Sequence, residues 1–422
     1  MFATANPLDI GQIRTFFPAL SQQVYGSPLV YFDNAATTHK PLSVIHSAQH
    51  FYEQDNANVH RGMHSLAARS TMALEQTRLA VQKFLHAPEI ESIVFTSGTT
   101  ESINLIAATY GAMEVGEGDE VLISEMEHHA NLIPWQQLCK KKKAILKVIP
   151  IDDTGQLNLT DLDRWITTRT KIVALSYVSN TLGTINPIKN IIDKAHQKGA
   201  VVVIDGAQAV AHLPIDVVAL DCDFFVFSAH KLYGLTGLGF LYGKKKWLEW
   251  MPPYKTGGGM VKQVTLTEAV YQDVPYKFEA GTPPLAAIVS FLEVLKFVSS
   301  IGYAKLAAHE TTLLCYTLAG LARMPEVKLV GTAVHKIGII SFNVRNMHHL
   351  DVGLFLDAKG IAVRTGHCCT QPLMQRLGIE GVVRVSFALY NTIEEIDLFL
   401  EALQQIIHKE RHEHGKNTTQ DY

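Results

Sequence analysis

The chain has 422 residues, a formal net charge of -3, and 47% hydrophobic against 18% charged residues. That length suits two packed domains, and the slightly acidic balance argues against a nucleic-acid or membrane-surface role. Five cysteines without framework spacing fit free thiols in a reducing cytoplasm. No apolar run approaches the roughly 20 residues of a membrane span, and MFATANPLDIGQIRTFFPAL lacks the charged start and apolar core of a secretory signal.

From about Glu91, short apolar runs alternate with helical stretches. Ile93–Phe95, Val121–Ile123, Ile172–Leu175, Val201–Ile204, Phe224–Phe227 and Phe240–Tyr242 read as buried strands. The helix expected over Ile188–Lys198 is closed by Gly199. Such alternation predicts an α/β fold with a mainly parallel sheet between helices. Later, Ile339–Val344 and Val383–Phe387 read as strands around a helix near Asp351–Lys359, predicting a smaller α+β domain. The last helix opens with a capping box, Thr392 and Glu395, and repeats apolar residues from Ile393 to Ile407. The expected division is 21–285 for the large domain, 1–20 with 286–410 for the small one, and a fraying polar tail over 411–422.

In a parallel sheet, ligands bind beyond the carboxyl ends of the strands, so the residues after each run matter. Ser97-Gly98-Thr99-Thr100 opens a helix and offers hydroxyls and free N–H groups to an anion such as a phosphate. His128 and His129 follow the second run; no closed metal-ligand spacing accompanies them, which favours ring stacking or proton transfer over metal binding. Asp205 ends a buried strand, where it either caps the next helix or holds a protonated ring nitrogen. Lys231, in Phe227-Ser228-Ala229-His230-Lys231, places an amine at the same sheet edge, where it could form a Schiff base. A phosphate cradle, a ring stacker, a ring-nitrogen partner and an amine are the parts of a pyridoxal phosphate site. Cys368 and Cys369 lie between Gly366 and Pro372 in a shaped loop.

TSGTTESIN, SEMEHHANLIPW, VVIDGAQA, FSAHKLYG, FEAGTP and RTGHCCTQP occur in this order, with VHRGMHSL near the start. The chain thereby resembles the SufS-type (group II) cysteine desulfurases of the class V aminotransferase-fold family. The resemblance implies a fold-type I homodimer with pyridoxal 5'-phosphate bound to Lys231, which also moves the substrate's Cα proton. It implies that His128 stacks on the pyridine ring, Asp205 pairs with its nitrogen and Gln208 with its phenolic oxygen, and that Asn180 lies near ring and substrate. Thr99, Thr100, Ser228 and His230 are expected at the phosphate, joined by Thr282 of the second subunit.

In the same way Arg384 is expected to grip the substrate carboxylate, with Arg364 and, across the dimer, His60 and Arg61 near the catalytic cysteine. Cys369 is expected to take sulfur from L-cysteine as a persulfide for iron–sulfur cluster assembly, leaving L-alanine. Cys368 departs from the pattern, since relatives commonly carry histidine there. A hairpin around Val264–Thr267 and Val270–Gln272 is expected to cover the neighbouring site, and a SufE-like or SufU-like acceptor to speed turnover. Selenocysteine lyase chemistry and a non-catalytic scaffold are the alternatives.

Overall fold

A computed structural model describes residues 8–417. Seven strands form the large sheet: β1 (Ile93–Thr96), β2 (Glu120–Ser124), β3 (Ile145–Ile149), β4 (Thr170–Ser176), β5 (Val201–Asp205), β6 (Phe224–Ser228) and β7 (Gly239–Gly243). Their spatial order is β1-β7-β6-β5-β4-β2-β3. The pairs β6–β5, β5–β4, β4–β2 and β2–β3 are parallel. Only β7 runs antiparallel, to both β1 and β6, so β1 points the same way as the other five.

Alternate residues of these strands enter two separate cores. Leu122, Val173, Val202, Ile204, Phe225 and Phe227 pack on one face, and Val121, Ile172, Val201, Val203, Phe224 and Val226 on the other. This is the period of two expected of strands buried on both sides. The helix at Ile188–Gln197 buries Ile188, Ile191, Ile192 and Ala195, and Gly199 follows it with φ +79°. On the first face the helix Leu285–Ile301 sets Phe291 against Phe240, with ring centroids 4.5 Å apart, and against Phe227 at 6.3 Å. Residues from 286 onward, expected in the smaller domain, begin with this helix, which instead covers the large sheet because its apolar stripe packs there.

The smaller sheet has four antiparallel strands, Val327–Val330, Ile339–Val344, Val382–Ser386 and Arg364–Gly366, in that spatial order. Its core joins Ile340, Phe342, Val383 and Val385 to Phe399 and Leu403 of the last helix. That helix starts with the expected capping box: Thr392 N–H donates to Glu395 Oε2 at 3.1 Å, and Glu395 N–H to Thr392 Oγ1 at 3.2 Å. It continues to Asn417 rather than ending in a tail at 411. Its Lys, Glu and Arg residues are good helix formers, and Arg411 pairs with Glu326. Residues 418–422 of the expected tail, and 1–7 of the expected small domain, lie outside the described residues.

The N-terminal segment ties the two sheets together. Phe17 packs on Tyr233 and Tyr390, and Ser386 N–H donates to Phe32 O at 2.7 Å. Asp33 bridges to Ser386 of the small sheet, and Thr38 N–H donates to His230 O, just past the carboxyl end of β6, at 3.1 Å.

Candidate active site

Because β1, β2, β4, β5 and β6 share one direction, their carboxyl ends meet at one edge. There a cavity of about 330 Å³ opens between the large sheet and the Arg364–Arg384 strand pair. At one end, Thr99 begins a helix whose preceding residue, Gly98, gives no side-chain cap. Thr99 N–H donates to Ser228 Oγ at 2.9 Å, and the two hydroxyls lie 2.8 Å apart. Helix N-terminal N–H groups flanked by hydroxyls form a cradle for a phosphate. Thr100 and His230 line the same end.

Asp205 ends β5 with its carboxylate buried; it accepts the Ala207 N–H at 2.9 Å. Burial pushes its pKa up, while the nearby Lys231 cation acts against that shift. Lys231 stands in the short turn after β6, and burial lowers its pKa despite the pull of Asp205. His128 caps the turn after β2: its Nδ1 accepts Ala130 N–H at 3.0 Å. Its neutral ring therefore carries the proton on Nε2. Burial, then Lys231, pushes its pKa down to about 3. Burial and Lys231 likewise lower His230 to about 4. Gln208 donates from Nε2 to Ala35 O at 2.8 Å, which fixes its side chain beside the cavity.

On the opposite wall, Arg384 is only 3% exposed. It donates from Nη1 to Asn180 O at 2.9 Å and from Nη2 to Asp33 Oδ1 at 3.2 Å. Its Nε is buried without a hydrogen-bond partner. A buried guanidinium edge left unsatisfied beside a cavity is costly, and a carboxylate entering from the cavity is the natural complement. Asn180 Nδ2 donates to Cys368 O at 2.8 Å and so joins this wall to the cysteine loop. Cys368 and Cys369 have left-handed backbones, φ +48° and +58°, confirming a shaped loop. The Cys369 thiol is exposed and free; Cys368 is half-buried, and burial raises its pKa. Arg364 donates from Nη2 to Asp33 Oδ2 at 2.6 Å.

The structure thus brings Thr99, Thr100, His128, Asn180, Asp205, Gln208, Ser228, His230, Lys231, Arg364, Cys369 and Arg384 around one cavity. His60, Arg61 and Thr282 do not join it; all three are exposed. Arg61 donates to Val261 O of the strand Val261–Val264, which pairs with Ala269–Tyr271 in the expected hairpin. Nothing local in the sequence marks Asp33 as an arginine partner. His129, marked together with His128 for ring stacking or proton transfer, instead turns to the cysteine loop, where its Nε2 accepts the Gln371 N–H at 3.1 Å.

The cradle at Thr99, the buried Asp205 carboxylate, the desolvated Lys231 amine and the ring of His128, all lining one cavity, fit the chemistry of pyridoxal phosphate. Residues 30–399 match the Aminotransferase class-V family. A cysteine desulfurase of Dickeya dadantii is 49% identical over 95% of this chain and 97% of its own length. A probable cysteine desulfurase of Mycolicibacterium paratuberculosis is 50% identical over 94% of this chain, which spans 58% of that relative's length. Among solved structures, the cysteine desulfurase CsdA of Escherichia coli, in an S-sulfonic acid form, superimposes with a TM-score of 0.88. It is 36% identical, with 96% of this chain and 99% of that one covered. The chain belongs to the class-V aminotransferase family, alongside its cysteine desulfurases.

Proposed function

We propose that the protein is a pyridoxal-phosphate-dependent cysteine desulfurase, converting L-cysteine to L-alanine with a persulfide on Cys369 and supplying sulfur for iron–sulfur cluster assembly. The observation that carries this reading is the meeting, in one cavity, of the desolvated Lys231 amine and the free thiol of Cys369. A transaminase needs the first and has no use for the second.

The bound cofactor supplies an electron sink conjugated to the substrate's α-carbon. Thr99, Thr100, Ser228 and His230 would hold its phosphate, Asp205 its ring nitrogen and Gln208 its phenolic oxygen, and His128 would supply the ring that packs on it. Its neutral form leaves Nε2–H as a donor toward the cavity, and its low pKa keeps it neutral throughout the physiological range. Arg384, backed by Asn180 and Asp33, binds the substrate carboxylate. Lys231 would hold the cofactor and take the Cα proton, and the lowering of its pKa by burial favours the neutral amine that this task needs. The Cys369 thiolate then attacks the substrate's sulfur. A Cys369 S–S bond forms, the Cβ–S bond breaks, and its electron pair stays with carbon, which takes a proton to give alanine.

The exposed Thr282, His60 and Arg61 are assigned to the second subunit's site in a cytoplasmic homodimer of the Suf system. The hairpin, whose Leu266 is fully exposed, is the candidate cover for that site. A SufE-like or SufU-like protein is the proposed sulfur acceptor, and equal turnover with and without such proteins would remove that part of the reading. L-Selenocysteine is the alternative substrate of the same site. A non-catalytic scaffold is disfavoured because Lys231, Asp205 and Cys369 are all present.

The deciding experiment measures alanine and persulfide from L-cysteine for the cofactor-loaded protein, Cys369→Ala and Cys368→Ala. The reading requires that Cys369→Ala keep the cofactor's absorbance and form no persulfide, while Cys368→Ala still forms one. Normal sulfur release by Cys369→Ala would assign the acceptor role elsewhere.

A further inference from the structure

The loop carrying Cys369 is held in a conformation its own sequence does not favour. Two consecutive non-glycine residues, Cys368 and Cys369, sit in the left-handed region, which persists only where the surroundings over-determine it. The helix that follows, Gln371–Leu377, makes the problem worse. Its first N–H groups have no intrahelical partner, and its N-cap residue, Thr370, makes no capping bond. The Thr370 hydroxyl is engaged elsewhere, donating to His367 O at 2.9 Å and lying 2.9 Å from Thr181 Oγ1.

His129 fills both gaps from the turn after β2. Its backbone N–H donates to Cys369 O at 2.8 Å. Its Nε2 accepts the Gln371 N–H at 3.1 Å, supplying the cap that Thr370 does not. Its ring lies 5.6 Å from that of His367, tilted by 36°, and His367 Nδ1 accepts the Cys369 N–H at 3.0 Å. Both backbone polar groups of Cys369 are therefore held, one by each histidine. An Nε2 acceptor requires a neutral ring with its proton on Nδ1. Burial, and then the neighbouring His367, lower the pKa of His129 in the direction that favours this form.

We infer that His129 is a positioning residue that clamps the Cys369 loop in the conformation presenting its thiol to the cavity. The inference rests on Cys369 being the sulfur-accepting residue. His128 and His129 then divide the work of the pair: the first faces the cavity, and the second fixes the loop across it.

The test compares the cofactor-loaded protein with His129→Leu and His129→Gln. The glutamine side-chain oxygen can reach roughly where Nε2 lies, and leucine offers no acceptor. Hydrogen exchange of peptides covering residues 365–377, read without substrate, should be about tenfold faster in His129→Leu and return toward wild type in His129→Gln, as the loss and recovery of a protecting hydrogen bond require. With L-cysteine, kcat should fall by about tenfold in His129→Leu with KM little changed, and recover in His129→Gln. Wild-type exchange in His129→Leu, or no recovery of protection in His129→Gln, overturns the clamp. Exchange needs no turnover, so a wild-type protein that forms no alanine overturns the desulfurase reading while the clamp stands on its own readout.

Discussion

Asp33 and Arg384 form an ion pair at 3.2 Å whose carboxylate is shared: Arg364 holds its other oxygen at 2.6 Å. One carboxylate thus pairs with two guanidinium groups, leaving a net positive charge at the wall of the cavity, and keeps the Arg384 plane fixed between Asn180 O and the carboxylate. Replacing Asp33 by asparagine removes the charge while retaining the shape. Breaking a buried charge pair on one side typically costs about 3 kcal/mol, so Asp33→Asn should unfold at a clearly lower temperature. With the guanidinium less firmly oriented, KM for L-cysteine should rise by about tenfold, the equivalent of one charge-assisted hydrogen bond. Steady-state kinetics on the cofactor-loaded variant check this; an unchanged KM would mean that Asp33 serves stability alone.

Gly239 makes a second relationship measurable. A Cβ built there would lie 2.3 Å from Gly98 Cα, where β7 passes beneath the start of the phosphate cradle. Gly98 cannot simply withdraw, because Thr99 is bonded to Ser228 Oγ through both its N–H and its hydroxyl. Gly239→Ala should therefore push the cradle open, with an overpacking cost of about 1–3 kcal/mol. If that strain falls on the cradle, cofactor affinity drops by about tenfold or more. Release of pyridoxal phosphate on dilution, followed by absorbance, is the measurement; release at the wild-type rate would show that the strain is absorbed elsewhere.

The parts visible in the sequence were those encoded locally. β4, β5 and β6 are buried on both faces and so appear as unbroken apolar runs, and the residues that follow them fall at the cavity. The same property concealed the direction of β7, since a doubly buried strand looks alike in either orientation. The edge strand β3, Ile145-Leu146-Lys147-Val148-Ile149, has only Ile149 buried and was not read as a strand at all. In the site, local signals located Lys231, Asp205 and His128. The Asp33–Arg384 pair joins residues 351 apart and the His129–Gln371 bond residues 242 apart, separations at which a single sequence carries no pairing signal. His60, Arg61 and Thr282, expected from the resemblance to act on a second subunit, are exposed and lie away from the cavity of their own chain.

Glu127 lies next to His128 and is buried at the ends of β2 and β4. It accepts hydrogen bonds from Ser124 Oγ, Ser176 N–H and Oγ, and Asn131 Nδ2. Burial raises its pKa from 4.5 to about 7 against the opposing effect of those bonds. Between these values the folded protein binds more protons than the unfolded chain, so stability falls as pH rises. The contribution is fully present below pH 4.5 and is lost as pH climbs through about 7. Glu127→Gln resembles the protonated form at every pH: its oxygen can still accept from Asn131 and Ser176, and its NH2 can donate to Ser124 Oγ. The variant should therefore gain stability relative to wild type on going from pH 5, near the lower end of the window, to pH 8, about one unit above its upper end. Parallel thermal unfolding curves at those two values decide the matter; an unchanged difference would place the Glu127 pKa outside the window.

Arg78 and Glu279 supply the last test. Arg78 is 1% exposed and donates to both oxygens of Glu279, at 2.7 and 2.9 Å, with its guanidinium 4.3 Å from the centre of the Phe95 ring. Glu279 also accepts the Phe95 N–H at 2.8 Å, anchoring the segment that leads to Thr282 onto β1. Arg78→Met leaves a buried carboxylate facing an apolar side chain and should cost about 3–5 kcal/mol. Adding Glu279→Gln removes the stranded charge yet keeps an oxygen for Phe95, so the double variant should be more stable than Arg78→Met alone. If the cost of Arg78→Met were only the lost attraction, Glu279→Gln would bring no such recovery, because the pair is already gone and no stranded charge would be left to relieve. Unfolding midpoints of the wild type, both single variants and the double variant distinguish the two cases.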